Sequence, residues 1–304
     1  MREKSKHNYI LLLLIGITIL AASSVFVYSN GESGEGSDEL IVRIVLIPKG
    51  LDSANAFWSD VIEGAQMAAS EKNVELTVLG PSSETETRRQ NSMIEEAIEM
   101  RPDAIVLAPS NYTETLPYAR KVEEAGIKLV ILDSVMEEEA GCCLVATDNL
   151  KAGYQMGSYM KPYLNGESAI GIIGHVQGVS TAVEREQGIR DALGEYEKQI
   201  LDIRFCDSNY DKAYERTREM LTENPDINVI FGLNEYSAAG AARAVRDMGL
   251  GGEVKMVGFD SSPEEIQFLE SGVFDAIVVQ RPLNMGYLGV SMAYQAARSI
   301  EVPK

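Results

Sequence analysis

Histidine is almost missing from this chain. Of its two, His7 lies in the first ten residues, which leaves His175 as the one imidazole in the rest. A metal centre or a histidine acid–base pair therefore lacks an evident set of side chains. Cysteine is also scarce, with Cys142, Cys143 and Cys206 showing no metal-binding spacing. Adjacent cysteines pair poorly because the bridge would be strained. A disulfide to Cys206 stays open in an exported protein, with buried thiols the favoured expectation. Basic charge is short too: 27 Lys and Arg against 46 Asp and Glu give a formal net charge of −19. Such a surface repels phosphate backbones, which excludes nucleic acid as an expected partner. No Gly-x-Gly-x-x-Gly follows the first strand-like run, so dinucleotide binding has no support. The loop Gly174-His175-Val176-Gln177-Gly178-Val179-Ser180 lacks the Lys-Ser/Thr of a phosphate loop. No catalytic nucleophile stands out, and neither a cofactor nor a metal is expected.

The features that are present begin with a leader. Arg2, Lys4 and Lys6 precede an uncharged, largely apolar run over residues 10–28. At about nineteen residues it is near bilayer-spanning length and longer than the ~7–15-residue core of a signal peptide. Residues 1–28 are therefore a cleaved signal or a retained anchor, with length favouring the anchor. No cysteine in or just after the run offers a lipid attachment point, and either fate exports the remainder of the chain. Residues 29–39 form a Gly/Ser/acid linker with nothing to bury.

From residue 40 onwards short β-branched runs alternate with helical periodicity. Residues 41–47, 74–79, 104–108 and 128–132 read as buried strands, separated by helical stretches at 57–72, 84–100 and 113–125. After 144–146 the pattern restarts, with strands expected at 169–173, 200–205, 229–231, 255–258 and 276–279. Asp211 is expected to cap the helix that Asn224-Pro225 stops, and Pro282 to sit in the first turn of the last helix. Repeated βα units predict an α/β protein of two doubly wound parallel-sheet lobes with a cleft between their strand ends. The 304 residues suffice for two such cores.

In open α/β sheets ligands bind beyond the carboxyl ends of the strands. Residues expected there are Asn55, Phe57, Trp58, Asp133, Tyr210, Asn234, Asp260 and Gln280, with His175 on a neighbouring loop. Each has a plainer reading. Asn and Asp at such turns cap helices, while Phe57 and Trp58 fit a helix core. Taken together, planar hydrogen-bonding groups beside flat apolar rings suit a sugar, with its C–H faces and hydroxyl rim.

In order and spacing, several motifs resemble one family: Asn55-Ala56-Phe57-Trp58, Ile131-Leu132-Asp133, Ala146-Thr147-Asp148-Asn149, Glu184-Arg185-Glu186-Gln187-Gly188, Asn234-Glu235 and Val257-Gly258-Phe259-Asp260-Ser261-Ser262-Pro263. They resemble the periplasmic sugar-binding proteins of the ribose/galactose type, over about residues 40–300. The resemblance implies two hinged lobes, residues 40–147 with 281–304 and residues 148–280, and ligand contacts from the eight positions named above. It also implies a sugar ABC permease as membrane partner and a monomer outside the cytoplasm. Three departures stand out. Ser134 and Val183 occupy positions where ribose binders carry arginines, and the family's last strand is expected to be missing after the final helix. His175 or Gln177 would then substitute as donors.

The expectation is an extracytoplasmic receptor for a monosaccharide or small polyol, closing on its ligand and presenting it to an ABC permease. A membrane-anchored sensor reporting to a histidine kinase, or a receptor for a non-sugar signal, stays open beside it.

Overall fold

The computed structural model describes residues 41–303. The leader and linker expected over residues 1–39 lie outside the described residues. Two sheets organise the fold. The first contains β1 (Arg43–Ile47), β2 (Glu75–Val78), β3 (Ala104–Leu107), β4 (Lys128–Leu132) and β5 (Cys143–Val145) in the order β2-β1-β3-β4-β5. The second contains β6 (Ile170–Gly174), β7 (Ile200–Phe205), β8 (Val229–Gly232), β9 (Lys255–Phe259) and β10 (Ala276–Val278) in the order β10-β9-β8-β6-β7. All pairings are parallel. Counted from its own first strand, each sheet has the same 2-1-3-4-5 order. The direction of winding therefore reverses beside β1 and again beside β6, which opens a crevice at the carboxyl ends of both.

Helices cover both faces, so the strands are apolar nearly throughout. Ile44 and Leu46 of β1 point into one core layer, while Val45 and Ile47 point into the other. On the first layer lie α1 (Ala56–Lys72) and α9 (Pro282–Ala297); on the second lie α2 (Thr87–Glu99) and α3 (Leu116–Glu124). The second sheet is covered by α4 (Asn149–Met160) and α5 (Ser180–Leu193) on one face. On its other face lie α6 (Tyr210–Glu223), α7 (Glu235–Asp247) and α8 (Pro263–Glu270). After β10 the chain returns to the first sheet, where Met285, Val290 and Ala293 of α9 join its core.

Two pairs of glycines set the closest helix contacts. A Cβ on Gly64 of α1 would lie 1.9 Å from the Leu283 carbonyl, and one on Gly286 of α9 would lie 1.8 Å from the Val61 carbonyl. The second half repeats the device: Gly153 of α4 meets the Arg185 carbonyl at 2.0 Å, and Gly188 of α5 meets that of Leu150 at 2.1 Å. Only a residue without a side chain lets these backbones approach so near.

Two local expectations are revised. Asn209, not Asp211, caps α6, its side chain accepting from the Lys212 N–H. The left-handed turn at Asp207 and Ser208 starts the helix two residues early and places Asp211 in its first turn. The helix expected from residue 84 begins at Thr87, because a turn joining the Glu86 N–H to the Ser83 carbonyl comes first. Glu84 thereby falls outside the helix. Cys142, Cys143 and Cys206 are free thiols. No helix among the described residues is long and apolar enough to cross a membrane, and the described residues after α9 form no strand.

Candidate functional site

A cavity opens where the two sheets face each other, beyond the ends of their strands. Its empty space amounts to about 310 Å³, part of it open to solvent. Its wall comes from seven strand ends: Lys49, Asn55, Phe57 and Trp58 after β1, Glu84 after β2, Asp133 after β4, His175, Thr181 and Arg185 after β6, Asn234 and Glu235 after β8, Asp260 after β9, and Gln280 after β10.

On the first-sheet side, Asn55 caps α1 by accepting the Trp58 N–H at 2.9 Å. The capping expected of such a residue and its place in the cavity wall are thus compatible. The Phe57 and Trp58 rings meet edge to face at 4.9 Å. Asp133 adopts a left-handed backbone (φ 63°) immediately after β4, and its carboxylate pairs with the Lys49 ammonium at 2.6 Å. Both are almost fully buried, so the pair holds its charges away from water.

On the second-sheet side, Asp260 is also left-handed (φ 87°). It accepts from Gln280 Nε2 at 2.7 Å and from the Glu235 N–H at 3.0 Å. Burial pushes its carboxyl above the usual range, with Arg185 opposing. Asn234 caps α7 in a reciprocal box with Ser237. Arg185 lies flat on the Phe259 ring at 3.7 Å and donates to Asn149 Oδ1 and to the Leu233 carbonyl. His175 bonds Thr181 through Nε2 at 2.8 Å, while its buried Nδ1 has no protein partner. Burial, with Arg185 and Lys49 nearby, holds this imidazole neutral, well below its ordinary pKa.

Eight expected residues therefore share one wall: Asn55, Phe57, Trp58, Asp133, His175, Asn234, Asp260 and Gln280. Three stand apart from it. Tyr210 packs on Tyr236 at 4.6 Å and gives its hydroxyl to Glu235, so it does not face the Phe57–Trp58 pair across the cavity. Val183 is 55% exposed on the surface of α5. Ser134 is buried behind Asp133 and donates to its carboxylate at 3.0 Å. The sequence reading missed Lys49, Glu84, Thr181, Arg185 and Glu235. Lys49 had the clearest signal, since it follows β1 by two residues. Arg185 and Glu235 stood inside the motifs that carry the family resemblance, and Glu84 was concealed by a helical pattern. Lys49 and Arg185 restore the cationic character that Ser134 and Val183 had seemed to remove.

The wall offers amide and carboxylate acceptors, ammonium, guanidinium and amide donors, and two apolar rings. Among the described residues no cluster of His, Cys, Asp and Glu is arranged to hold a metal ion. Such a wall suits a hydroxyl-rich molecule, offering acceptors and donors around its rim and rings against its apolar faces.

Similarity to known proteins agrees with this geometry. A crystal structure of a sugar transporter from Clostridium phytofermentans is 45% identical, with a TM-score of 0.82 over 86% of this chain and 95% of that one. An ABC transporter solute-binding protein from Agrobacterium vitis, solved with bound D-fucose, is 30% identical, with a TM-score of 0.82 over 86% and 91% of the two chains. Among curated proteins, the D-ribose/D-allose-binding protein of Pseudomonas aeruginosa is 28% identical over 288 residues, or 92% of this chain and 89% of that one. The model of the periplasmic binding protein domain matches residues 44–300, almost everything that forms the two sheets and their cleft, and this chain belongs to that family.

Proposed function

We propose that this protein is an extracytoplasmic receptor that binds a monosaccharide in the cleft between its sheets and delivers it to a sugar ABC permease. The observation that carries the reading is the wall itself. Amides, carboxylates and cations from seven strand ends converge there beside Phe57 and Trp58. The names of relatives support the substrate class: D-ribose/D-allose binding in one, bound D-fucose in another.

In this reading residues 40–147 with 281–304 make one lobe and 148–280 the other. The return of α9 to the first sheet supports that division. So does the 2.6 Å hydrogen bond from Thr147 Oγ1 to Gln280 Oε1, which ties the two chain crossings together. A ligand bridging both lobes makes its full contacts only when they close, and that difference stabilises the closed form; hinge closure of this kind is known in periplasmic binding proteins. Asn55, Asp133 and Lys49 would take hydroxyls from one side, and Asn234, Asp260, Gln280 and His175 from the other. The protein acts as a monomer, its leader serving as signal or anchor.

Thermal unfolding against a panel of pentoses, hexoses and polyols tests this. A sugar at a hundred times its Kd adds about 2.7 kcal/mol, a shift of several degrees. One selective hit names the ligand; a well-folded protein with no hit removes the sugar reading.

A further inference from the structure

Two carboxylates span the cleft, and they do so reciprocally. Glu84 stands on the first-sheet side, in the turn between β2 and α2. Its Oε1 accepts from the Trp58 indole N–H at 2.6 Å, and its Oε2 accepts from Ser208 Oγ, on the second-sheet side, at 2.5 Å. Glu235 stands on the second-sheet side as the first residue of α7. It accepts from the Tyr210 hydroxyl on its own side and from the N–H groups of Ala56 (3.0 Å) and Phe57 (2.9 Å) across the cleft. Each acid thus fixes an aromatic residue of its own half and grips the opposite half.

The groups they grip are built for the purpose. The N–H groups of Ala56 and Phe57 open α1, where no helical carbonyl is available to them and the helix end is positive. Ser208 is presented by consecutive left-handed residues, Asp207 (φ 52°) and Ser208 (φ 50°), a conformation that residues with side chains keep only when their surroundings hold it. Both acids are buried, Glu84 to 7% and Glu235 to 2% exposure. A closed cleft supplies both with partners; an open one takes a partner from each.

We propose that Glu84 and Glu235 are positioning residues, two reciprocal carboxylate clasps that contribute to closure of the cleft and set the Phe57–Trp58 wall at the same time. The inference rests on the receptor reading for its effect on ligand, but not for its effect on shape. Closure energy supplied by the protein raises the fraction of receptor that is ready to bind and slows release of every ligand alike. A residue that touched the ligand would instead alter the ranking among epimers.

The test compares the purified protein with its Glu84→Gln, Glu235→Gln, double and Ser208→Ala variants. Small-angle scattering without ligand should show a larger radius of gyration for the double variant than for the parent. Emission from Trp58, the chain's one tryptophan, should shift in Glu84→Gln and Ser208→Ala. For the best sugar of the panel, release should quicken roughly tenfold per clasp, and Ser208→Ala, at a residue outside the cavity wall, should preserve the ranking of sugars. Unchanged scattering together with unchanged release in the double variant overturns the clasps, and a changed ranking in Ser208→Ala overturns the positioning role. If no sugar binds the parent, the receptor reading fails while scattering still decides the clasps. If the double variant does not fold, Ser208→Ala, which removes one hydroxyl, decides through its emission and release rate.

Discussion

Asp260 and Gln280, on adjacent strand ends of the second sheet, are joined at 2.7 Å, and the other end of the same amide accepts from Thr147. One chain of hydrogen bonds therefore runs from the cavity to both crossings of the backbone. Asp260→Ala should weaken sugar binding by about 2–4 kcal/mol, because Gln280 and the Glu235 N–H both lose an acceptor in a buried place. Calorimetry with the panel's best sugar checks this, and unchanged affinity removes Asp260 from the site.

Arg185 is 2% exposed, stacked on Phe259 and bonded to two acceptors. Arg185→Met keeps the stem of the side chain but strips both donors and the positive charge near Asp260. Unfolding in urea should show a loss of about 3 kcal/mol even without ligand.

The reciprocal glycines make a steric prediction. Gly188→Ala drives a methyl group to within 2.1 Å of the Leu150 carbonyl, so α4 and α5 must separate. The expected cost is about 1–3 kcal/mol. Because α5 carries Arg185, sugar affinity should fall as well. Gly166→Ala, where nothing lies within 4 Å, should leave both unchanged.

Glu265 gives the protein an unusual response to acid. Its Oε2 accepts from the Ser262 N–H and hydroxyl at 2.8 Å, while its buried Oε1 has no partner. Burial and the nearby Asp260 push its carboxyl well above 4.5. The folded state therefore takes up a proton, and this contribution is full below 4.5 and is lost as pH rises through the folded value. Asp260 and Glu235 are shifted the same way by burial. His175 opposes them, but only as pH falls below about 6.5, where the unfolded chain takes the proton that the folded imidazole refuses. The melting temperature should thus rise as pH is lowered through the folded value of Glu265 towards 4.5, with His175 subtracting from the rise below about 6.5. Glu265→Gln should flatten that slope and add on the order of 1 kcal/mol at the upper end, since it removes a poorly solvated charge. A parent whose melting temperature is level over that interval contradicts this account.

The strands were legible because each is a short run rich in apolar and β-branched residues, a pattern that depends on neighbours in sequence. Lys128–Leu132 and Ile200–Phe205 are found at the bounds expected of them. Asn55, Asp133, Asn234, Asp260 and Gln280 were legible for a related reason, since a residue just after a parallel strand must lie at the sheet's carboxyl edge. Glu84 was not, because helical periodicity continues past the turn that excludes it from α2. Tyr210 lies outside the cavity wall. It follows β7 as required, but Glu235 draws its hydroxyl and Tyr236 its ring away from the cavity wall.

By itself, then, the sequence determined the alternation of βα units and the edge on which the polar residues gather. These depend on local pattern and composition. Only the tertiary structure decided which distant groups meet: Lys49 with Asp133 on one side of the cleft, and Glu84 with Ser208 and Glu235 with the start of α1 across it. Those partners are separated by 84, 124 and about 179 positions. Their meeting is fixed by how two sheets and a returning helix pack, a relation that no stretch of neighbouring residues encodes.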